Sequence, residues 1–357
     1  MNKVLYTPGP TNVPEDIRKE LYKDMIHHRT KNYADLLKSL TKNLSKIFRT
    51  EEEVLTLTSS GTGVMEASIV NLFSKGEKVL VINAGYFGER FTKMGEVYGL
   101  EVIELKYPWG ETYKLEDVEE VIDKNKDLKG IFIQYSETST GVLHNIKKLG
   151  ELTKNTDILL TVDVISGLVV NEFEFDKWGI DCAIAGSQKG FLLPPGLAFL
   201  ALSNKAKKAM EKSNLPKFYF DLKKYYASLE KGQNPWTPAI GLVVGADYSC
   251  KKILEQGLEN IQAHSYKLRN ILEEELTKLG FELFVMDPDA RGNTLVSLVN
   301  KDIDTEMLKK TLDNEYDFSI AGGQGAYIGK MLRIGTLGEL TVEDINKLIE
   351  AIKKILR

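Results

Sequence analysis

The sequence predicts an α/β protein with a mainly parallel seven-stranded sheet, helices on both of its faces, and a smaller C-terminal α+β domain. Short apolar runs rich in β-branched residues alternate with amphipathic stretches, a pattern typical of parallel α/β sheets. Several runs are apolar on both faces, as strands covered by helices on each side are. The seven runs are "EVLTLTSS", "KVLVINAG", "EVIELKYP", "GIFIQYSE", "ILLTVDVIS", "DCAIAGSQ" and "GLAFLALS".

The C-terminal third has a different pattern of predicted helices and strands. A long helical pattern from Val243 to Leu279 marks the crossing into a second domain. Strand candidates "FELFVM", "TLVSLVN" and "KMLRIGT", with helices near 304–314 and 342–356, complete the smaller unit. We therefore expect an N-terminal segment of residues 1–20, a large domain of residues 21–245 and a small domain of residues 246–357.

Composition points to a small-molecule ligand. With 47 basic and 51 acidic residues the net charge is -4, so no nucleic acid or membrane is expected as a partner. Cys182 and Cys250 are far apart, which indicates neither a disulfide framework nor zinc and favours a cytoplasmic location. The start, "MNKVLYTPGPTNVPEDI", predicts no signal or anchor. His27 and His28 have no third ligand nearby, so no metal is expected.

Lys189, in "AIAGSQKGFLLPPG", stands at the end of a buried strand candidate and before an apolar run. Most lysines are solvated surface residues, and that interpretation remains open from the residue type alone. The apolar surroundings favour a partly desolvated amine with a lowered pKa. Such an amine can form an imine with a carbonyl compound.

Asp163 ends the apolar run "ILLTVD", where a buried carboxylate is costly and calls for a cationic partner. It could instead cap the following helix. A buried acid followed one βα unit later by a buried lysine also fits pyridoxal phosphate, whose ring nitrogen needs an acidic partner and whose aldehyde needs a lysine.

Three other sites carry candidate binding groups. The turn of Ser60, Gly61 and Thr62 feeds a helix and could hold a phosphate, or it is a tight turn with a hydroxyl cap. Phe87, between Gly85 and Gly88 in "NAGYFGERF", could offer a flat face to a ring or lie in the core. Arg333, in "KMLRIGT", could bind a carboxylate through its guanidinium or form a structural salt bridge.

Over nearly its whole length the chain resembles the class V pyridoxal-phosphate aminotransferases, in particular the alanine–glyoxylate and serine–pyruvate branch. The resemblance implies the type I fold of pyridoxal-phosphate transferases, with residues 1–20 at the active site and 21–245 holding the cofactor. Its segments, in order, are "TPGPTNVP", "HHRTKNY", "SSGTGVMEA", "NAGYFGERF", "ETSTGVLH", "TVDVISG", "GSQKGFLLPPG", "NPWTP" and "MLRIGTLGE".

The resemblance also implies a role for each candidate residue. Lys189 would bond the cofactor aldehyde and Asp163 would pair with the ring nitrogen. Arg333, with Gly9 beside it, would bind the substrate carboxylate. The remaining cofactor-binding residues would be Ser60, Gly61, Thr62 and Gln188 at the phosphate, Phe87 and Thr138 at the ring, and Asn234 and Thr237 in "NPWTP".

A homodimer is implied as well, with Thr237 reaching the phosphate held by the neighbouring subunit. Two departures bear on substrate preference: some relatives have tyrosine where this chain has Asn234, and some have tryptophan where it has Phe87. The resulting hypothesis is a pyridoxal-phosphate transaminase that moves the amino group of alanine or serine to glyoxylate or pyruvate by a ping-pong mechanism.

Three alternatives are weighed against it. A cysteine desulfurase needs a mobile nucleophilic cysteine in a late loop, and no cysteine follows Cys250. A 2-aminoethylphosphonate aminotransferase shares the early motifs, although the context of Arg333 favours a carboxylate. A non-catalytic or nucleotide-binding protein leaves unexplained why Asp163 and Lys189 follow consecutive strands, where open α/β sheets bind ligands.

Overall fold

The main sheet of the protein contains all seven predicted strands. A computed structural model describes residues 3–357. The strands are β1 (Leu55–Ser59), β2 (Lys78–Asn83), β3 (Glu101–Lys106), β4 (Gly130–Gln134), β5 (Leu159–Asp163), β6 (Cys182–Gly186) and β7 (Gly196–Leu202). Their order across the sheet is β1-β7-β6-β5-β4-β2-β3, and β7 runs antiparallel to the other six. The predicted α/β fold with a mainly parallel sheet is therefore confirmed.

Twelve α-helices lie within the described residues. In chain order they are α1 (Glu15–Leu21), α2 (Lys31–Phe48), α3 (Gly61–Leu72), α4 (Tyr86–Val97), α5 (Leu115–Lys124), α6 (Ile146–Thr153), α7 (Asn204–Met210), α8 (Leu222–Leu229), α9 (Ile240–Gln256), α10 (Leu258–Thr277), α11 (Thr305–Glu315) and α12 (Val342–Ile355).

Helices cover both faces of the main sheet. Successive side chains of a strand point to opposite faces, so adjacent residues of one strand pack against different helices. Ile131 of β4 packs in a core that includes residues of α2, α6 and α9. The next residue, Phe132, packs in a second core with residues of α3, α7 and α8. This double burial explains why the strands read as continuous apolar runs.

A second sheet lies in the C-terminal third and consists of β8 (Glu282–Leu283), β9 (Leu295–Val299), β10 (Ala321–Gly322) and β11 (Met331–Gly335). Its four strands are antiparallel, in the order β8-β9-β11-β10. Tyr6 from the N-terminal segment packs in its core, and the Tyr6 carbonyl accepts a hydrogen bond from Gly335. The N-terminal segment is thus attached to the smaller sheet.

The helical pattern predicted from Val243 to Leu279 is helical in the structure but is not one continuous helix. The chain forms two helices, α9 and α10, that are separated at Gly257. Gly257 has a φ of +84°, a backbone conformation that glycine adopts without steric cost and that ends an α-helix.

Among residues 3–357, no helix combines the length and the apolar composition needed to cross a membrane. Within this described part of the chain, no group of three or more histidine, cysteine, aspartate or glutamate side chains is arranged to hold a metal ion. Cys182 lies buried in β6 and Cys250 lies buried in α9.

Candidate active site

Lys189 lies in the turn after β6, at the edge of the main sheet where the parallel strands end. Its ammonium group donates a hydrogen bond to the carbonyl oxygen of Pro8 in the N-terminal segment. A Cβ atom on Gly9 would come within 2.3 Å of the lysine side chain, and Gly9 has a φ of +110°. Only glycine satisfies both conditions, so the N-terminal segment can lie directly against Lys189.

Burial lowers the pKa of Lys189 to about 8, because desolvation disfavours the charged ammonium group. The nearby charge of Arg333 lowers it further, while the negative charge of Asp163 opposes both effects. Lys189 is therefore still mostly protonated at pH 7, but it releases its proton far more readily than an ordinary lysine, and about a tenth of it is the free amine there. That form attacks carbonyl groups and accepts protons, as the sequence analysis expects of this residue.

Asp163 is the last residue of β5, the strand beside β6. The side chain is 7% exposed, and its Oδ1 accepts a hydrogen bond of 2.8 Å from the Ile165 backbone. Burial raises its pKa to about 7. The expected cationic partner is not found, since no basic side chain of residues 3–357 lies within ion-pair distance. The protonated ring nitrogen of the expected cofactor, pyridoxal phosphate, would supply the cation that this buried acid lacks.

The raised pKa predicts how pH affects the cofactor-free protein. Between the usual pKa of 3.8 and the raised value of about 7, the folded protein keeps a proton on Asp163 that the unfolded chain has released. Raising the pH from 5 to 7.5 should therefore lower the free energy of unfolding by about 2 kcal/mol relative to an Asp163→Asn variant. Urea unfolding of both proteins measures this difference, and parallel pH profiles would contradict it.

Helix α3 begins at the predicted phosphate cradle. Ser60 is its N-cap, and the Ser60 hydroxyl accepts a hydrogen bond of 3.3 Å from the Gly63 N–H. The N–H groups of Gly61 and Thr62 have no acceptor among the described residues. A Cβ on Gly61 would lie 2.6 Å from the Ile165 side chain, which closes the adjacent wall. Free N–H groups at a helix N-terminus bind anions such as a phosphate ester.

The side-chain amide of Gln188 lies beside Lys189 and is incompletely satisfied. Its Oε1 atom is buried and has no hydrogen-bond partner within residues 3–357. It lies 3.0 Å from the Cβ that Gly186 lacks, so the amide occupies space next to the glycine backbone. A buried amide oxygen without a donor is costly. Because a phosphate only accepts hydrogen bonds, the group of Gln188 that could bind one is the NH₂ of its amide and not this oxygen.

Phe87 lies in the first turn of α4, half-buried. The Gln134 amide donates a hydrogen bond of 3.0 Å to the carbonyl oxygen of Phe87. The guanidinium of Arg90 lies 4.9 Å from the ring centroid and also donates to the Thr62 hydroxyl at 2.8 Å. Arg90 thus connects the ring of Phe87 to the cradle, a contact that the sequence analysis missed because Arg90 reads as an ordinary exposed helix residue.

Glu137 is a second residue that the sequence analysis missed. It lies three residues after the end of β4 and is fully buried. Its carboxylate accepts hydrogen bonds from the N–H groups of Phe87, Gly88 and Ser139. Burial raises its pKa, while these hydrogen bonds oppose that shift. The sequence carried a signal for this residue, because Glu137 is the one charged residue of the run "FIQYSETSTG". A carboxylate is rarely buried unless it is paired.

Arg333 projects from β11 and is 7% exposed. Its Nε donates to the Gly322 carbonyl at 2.8 Å, and its Nη1 donates to the Thr138 carbonyl at 2.6 Å and the Gln324 amide oxygen at 3.4 Å. No carboxylate of the described residues pairs with it, so the structural salt bridge considered from sequence is absent there. Burial lowers its pKa to about 10, so it remains a cation at neutral pH.

The remaining predicted residues have different surroundings. Thr138 is buried, and its carbonyl oxygen accepts a hydrogen bond from Arg333. Asn234 is buried, and both ends of its amide are used: it accepts from the Tyr33 hydroxyl and donates to the Thr56 carbonyl at 3.1 Å. Thr237 is exposed on the surface near the end of β1. The structure therefore gathers the predicted residues at one edge of the sheet, with Thr237 facing outward.

The site combines a desolvated lysine, a buried acid without a cation, a helix N-terminus with free N–H groups and a buried arginine without an anion. Such an arrangement can bind a phosphate ester at the helix N-terminus and a carboxylate at the arginine. The sequence profile of the family Aminotransferase class-V matches residues 7–348. The chain belongs to the class V aminotransferases and is a transaminase that uses pyridoxal phosphate, as the sequence resemblance implied.

Individual relatives agree with this assignment. The chain is 38% identical to an uncharacterized aminotransferase of Methanocaldococcus jannaschii over 95% of this chain and 88% of that one. It is 33% identical to L-aspartate–glyoxylate aminotransferase of Paracoccus denitrificans, over 94% of this chain and 87% of the relative. The crystal structure of alanine–glyoxylate aminotransferase from Nostoc sp. superposes with a TM-score of 0.95 at 28% identity, covering 100% and 96% of the two chains.

Proposed function

We propose that this transaminase moves the amino group of alanine or serine to glyoxylate or pyruvate by a ping-pong mechanism. The observation that carries the proposal is Arg333, a buried cation whose hydrogen-bond acceptors are all neutral and which therefore fits a substrate carboxylate. Two of the relatives named above, those from Paracoccus denitrificans and Nostoc sp., act, by their names, on glyoxylate, which supports a small oxo acid as the acceptor.

In this proposal the chain holds the cofactor through three groups of contacts. The N–H groups and hydroxyls of Ser60, Gly61 and Thr62 bind the phosphate together with the Gln188 amide. Asp163 pairs with the ring nitrogen. When bound, the pyridine ring withdraws electrons from the reacting carbon. The residues at the ring are Phe87, which stacks on it, and Thr138 beside it, while Asn234 supports the neighbouring loop through its contacts with Tyr33 and Thr56.

Lys189 and Arg333 have separate roles toward the substrate, proton transfer and carboxylate binding. Arg333 binds the carboxylate and fixes the orientation of the α-carbon. Gly9, which has no side chain, lets the N-terminal segment lie directly against Lys189 on the side of the substrate. The amine of Lys189 would remove the α-proton of the substrate and deliver it to the former aldehyde carbon of the cofactor, for which a pKa of about 8 is suitable near neutral pH. The close contact of the Pro8 carbonyl with Lys189 orients the amine.

The proposal includes a homodimer in the cytoplasm, with the large domain at residues 21–245, the small domain at 246–357 and residues 1–20 at the site. An exposed aromatic patch next to Thr237 supports the dimer. Phe218 is 70% exposed and stacks on Trp236 with ring centroids 5.0 Å apart. Exposed aromatic residues of this kind are enriched in protein interfaces.

Mixing two inactive variants tests whether sites are shared. A Thr237→Glu chain places a carboxylate where the partner's phosphate is expected, and a Lys189→Ala chain lacks the amine. In a mixed dimer one site combines native Lys189 with native Thr237 of the partner subunit, so co-expression should restore activity that each variant lacks. Absence of restored activity, with mixed dimers confirmed by mass, would contradict a shared site.

A visible absorption spectrum tests the reaction itself. Purified protein saturated with pyridoxal phosphate is treated with L-alanine or L-serine and afterwards with glyoxylate. We expect a visible band that fades with the amino acid and returns with the oxo acid, because each half-reaction of a ping-pong enzyme can be observed separately. A band that responds to 2-aminoethylphosphonate but to neither amino acid would replace the carboxylate substrate by a phosphonate one.

A further inference from the structure

Glu137 is a fully buried carboxylate at the centre of the candidate site that the proposed reaction does not use. It ends the two-residue strand Ser136–Glu137. Burying a charged carboxylate is costly unless hydrogen bonds replace its water. The Phe87 and Gly88 N–H groups donate to its Oε2 at 3.1 and 3.0 Å, and Ser139 donates to its Oε1 through both its N–H at 3.1 Å and its hydroxyl at 2.6 Å.

Glu137 acts as the cap that α4 does not carry in its own sequence. The N-cap residue of this helix is Gly85, which has no side chain to accept a hydrogen bond. Glu137 binds the second and third N–H groups of the helix, and the Ser139 hydroxyl binds the first, that of Tyr86, at 3.0 Å. A carboxylate at a helix N-terminus is further stabilised by the helix dipole.

The space around Gly85 agrees with this cap. A Cβ at Gly85 would lie 2.4 Å from the Ser139 hydroxyl and 2.5 Å from Cγ of Glu137. The backbone of α4 thus approaches Glu137 as closely as the chain permits. Because Phe87 lies in the first turn of α4, the cap fixes the position of its ring.

The residue after Glu137 contacts the other end of the site. The carbonyl oxygen of Thr138 accepts a hydrogen bond of 2.6 Å from Nη1 of Arg333. Arg333 belongs to β11 of the smaller sheet, whereas Phe87 belongs to a helix that packs on the main sheet. Two consecutive residues therefore connect the expected ring-stacking group with the expected carboxylate-binding group.

We propose that Glu137 is a positioning residue that holds the ring of Phe87 at a fixed distance and angle from Arg333. It acts through the first turn of α4 on one side and through the Thr138 backbone on the other, and its carboxylate touches neither cofactor nor substrate. The inference rests on the proposed roles of Phe87 and Arg333. Its consequence is that the cofactor ring and the substrate carboxylate are aligned by one buried acid.

A Glu137→Gln variant tests this inference in the full-length protein. Glutamine keeps the size of the side chain but turns an NH₂ group toward backbone N–H donors, so at least one donor loses its acceptor. We expect the amide hydrogens of Phe87 and Gly88 to exchange at least about tenfold faster in the cofactor-free protein, and the dissociation constant for pyridoxal phosphate to rise about tenfold. Hydrogen exchange and an absorbance titration measure the two effects.

Asp181→Asn provides a matched control. Asp181 is also a buried acid of the main sheet, but it accepts hydrogen bonds from Leu160 and Ser203 at the opposite edge. Its replacement should lower the free energy of unfolding yet leave the exchange of the Phe87 and Gly88 amides, and cofactor binding, within about twofold of the unaltered protein. If Asp181→Asn changes both quantities as Glu137→Gln does, the effect is a general loss of stability and the inference is overturned.

Ser139→Ala gives a graded second variant with no change of charge. It removes one hydrogen bond to Glu137 and the acceptor of the Tyr86 N–H, so we expect a smaller increase in amide exchange and in the dissociation constant. Native exchange and native cofactor affinity in Glu137→Gln would overturn the inference. These measurements do not require turnover, so they stay decisive even if the unaltered protein binds pyridoxal phosphate but does not react with alanine.

Discussion

Replacing Lys189 by alanine is expected to lower kcat/KM for L-alanine by about 10⁴-fold or more, because in the proposed reaction this one side chain would both bond the cofactor aldehyde and transfer the α-proton. The lowered pKa of about 8 makes this amine available near neutral pH, and its hydrogen bond to the Pro8 carbonyl oxygen fixes its position in the candidate site. Single-turnover loss of the visible band after addition of L-alanine measures the effect.

Two further observations separate a proton carrier from a structural lysine. Lys189→Arg keeps the positive charge but cannot release a proton at neutral pH, so it should be as inactive as Lys189→Ala. Added methylamine should partly restore turnover in the alanine variant, since a small free amine can replace the missing base. A Lys189→Arg protein within about tenfold of the unaltered rate would disprove the proton-transfer role.

The sheet and its principal side chains were predictable because burial leaves a clear signal in sequence. Strands covered on both faces are continuous apolar runs, so each of the seven was recognised by composition. Lys189 and Asp163 stood out because an ionisable residue directly after such a run is costly without a function. Parallel strands end at the same sheet edge, so following consecutive strands brought the two residues together.

The parts that could not be predicted depend on contacts distant in sequence. The break at Gly257 was missed because the apolar pattern continues on both sides of it, and a single glycine is tolerated within helices. The capping role of Glu137 was missed because its partners Phe87 and Gly88 lie about fifty residues earlier. Asp163 was expected beside a cationic side chain. In a site that binds a ring, the protonated ring nitrogen of the ligand can take the place of that side chain.

Replacing Arg333 by glutamine is expected to lower kcat/KM for L-alanine by about 10²- to 10³-fold, mainly through a higher KM, because the proposed charge-assisted pair between Arg333 and the substrate carboxylate would be lost. Arg333→Lys should recover only a small part, since a lysine offers a point charge in place of a planar fork. Affinity for pyridoxal phosphate should change little, because Arg333 contacts the Thr138 and Gly322 carbonyls and no residue of the phosphate cradle.

Arg269 supplies the matched control for this prediction. It is a second buried arginine, on α10, and it lies 3.5 Å from Glu273, so it already has a carboxylate partner. Arg269→Gln should reduce stability without changing KM for L-alanine. The decisive comparison uses 2-aminoethylphosphonate, which has no α-carboxylate. If Arg333→Gln weakens both substrates equally, Arg333 does not recognise the carboxylate. If only L-alanine is affected, the neutral surroundings of this arginine account for the substrate class.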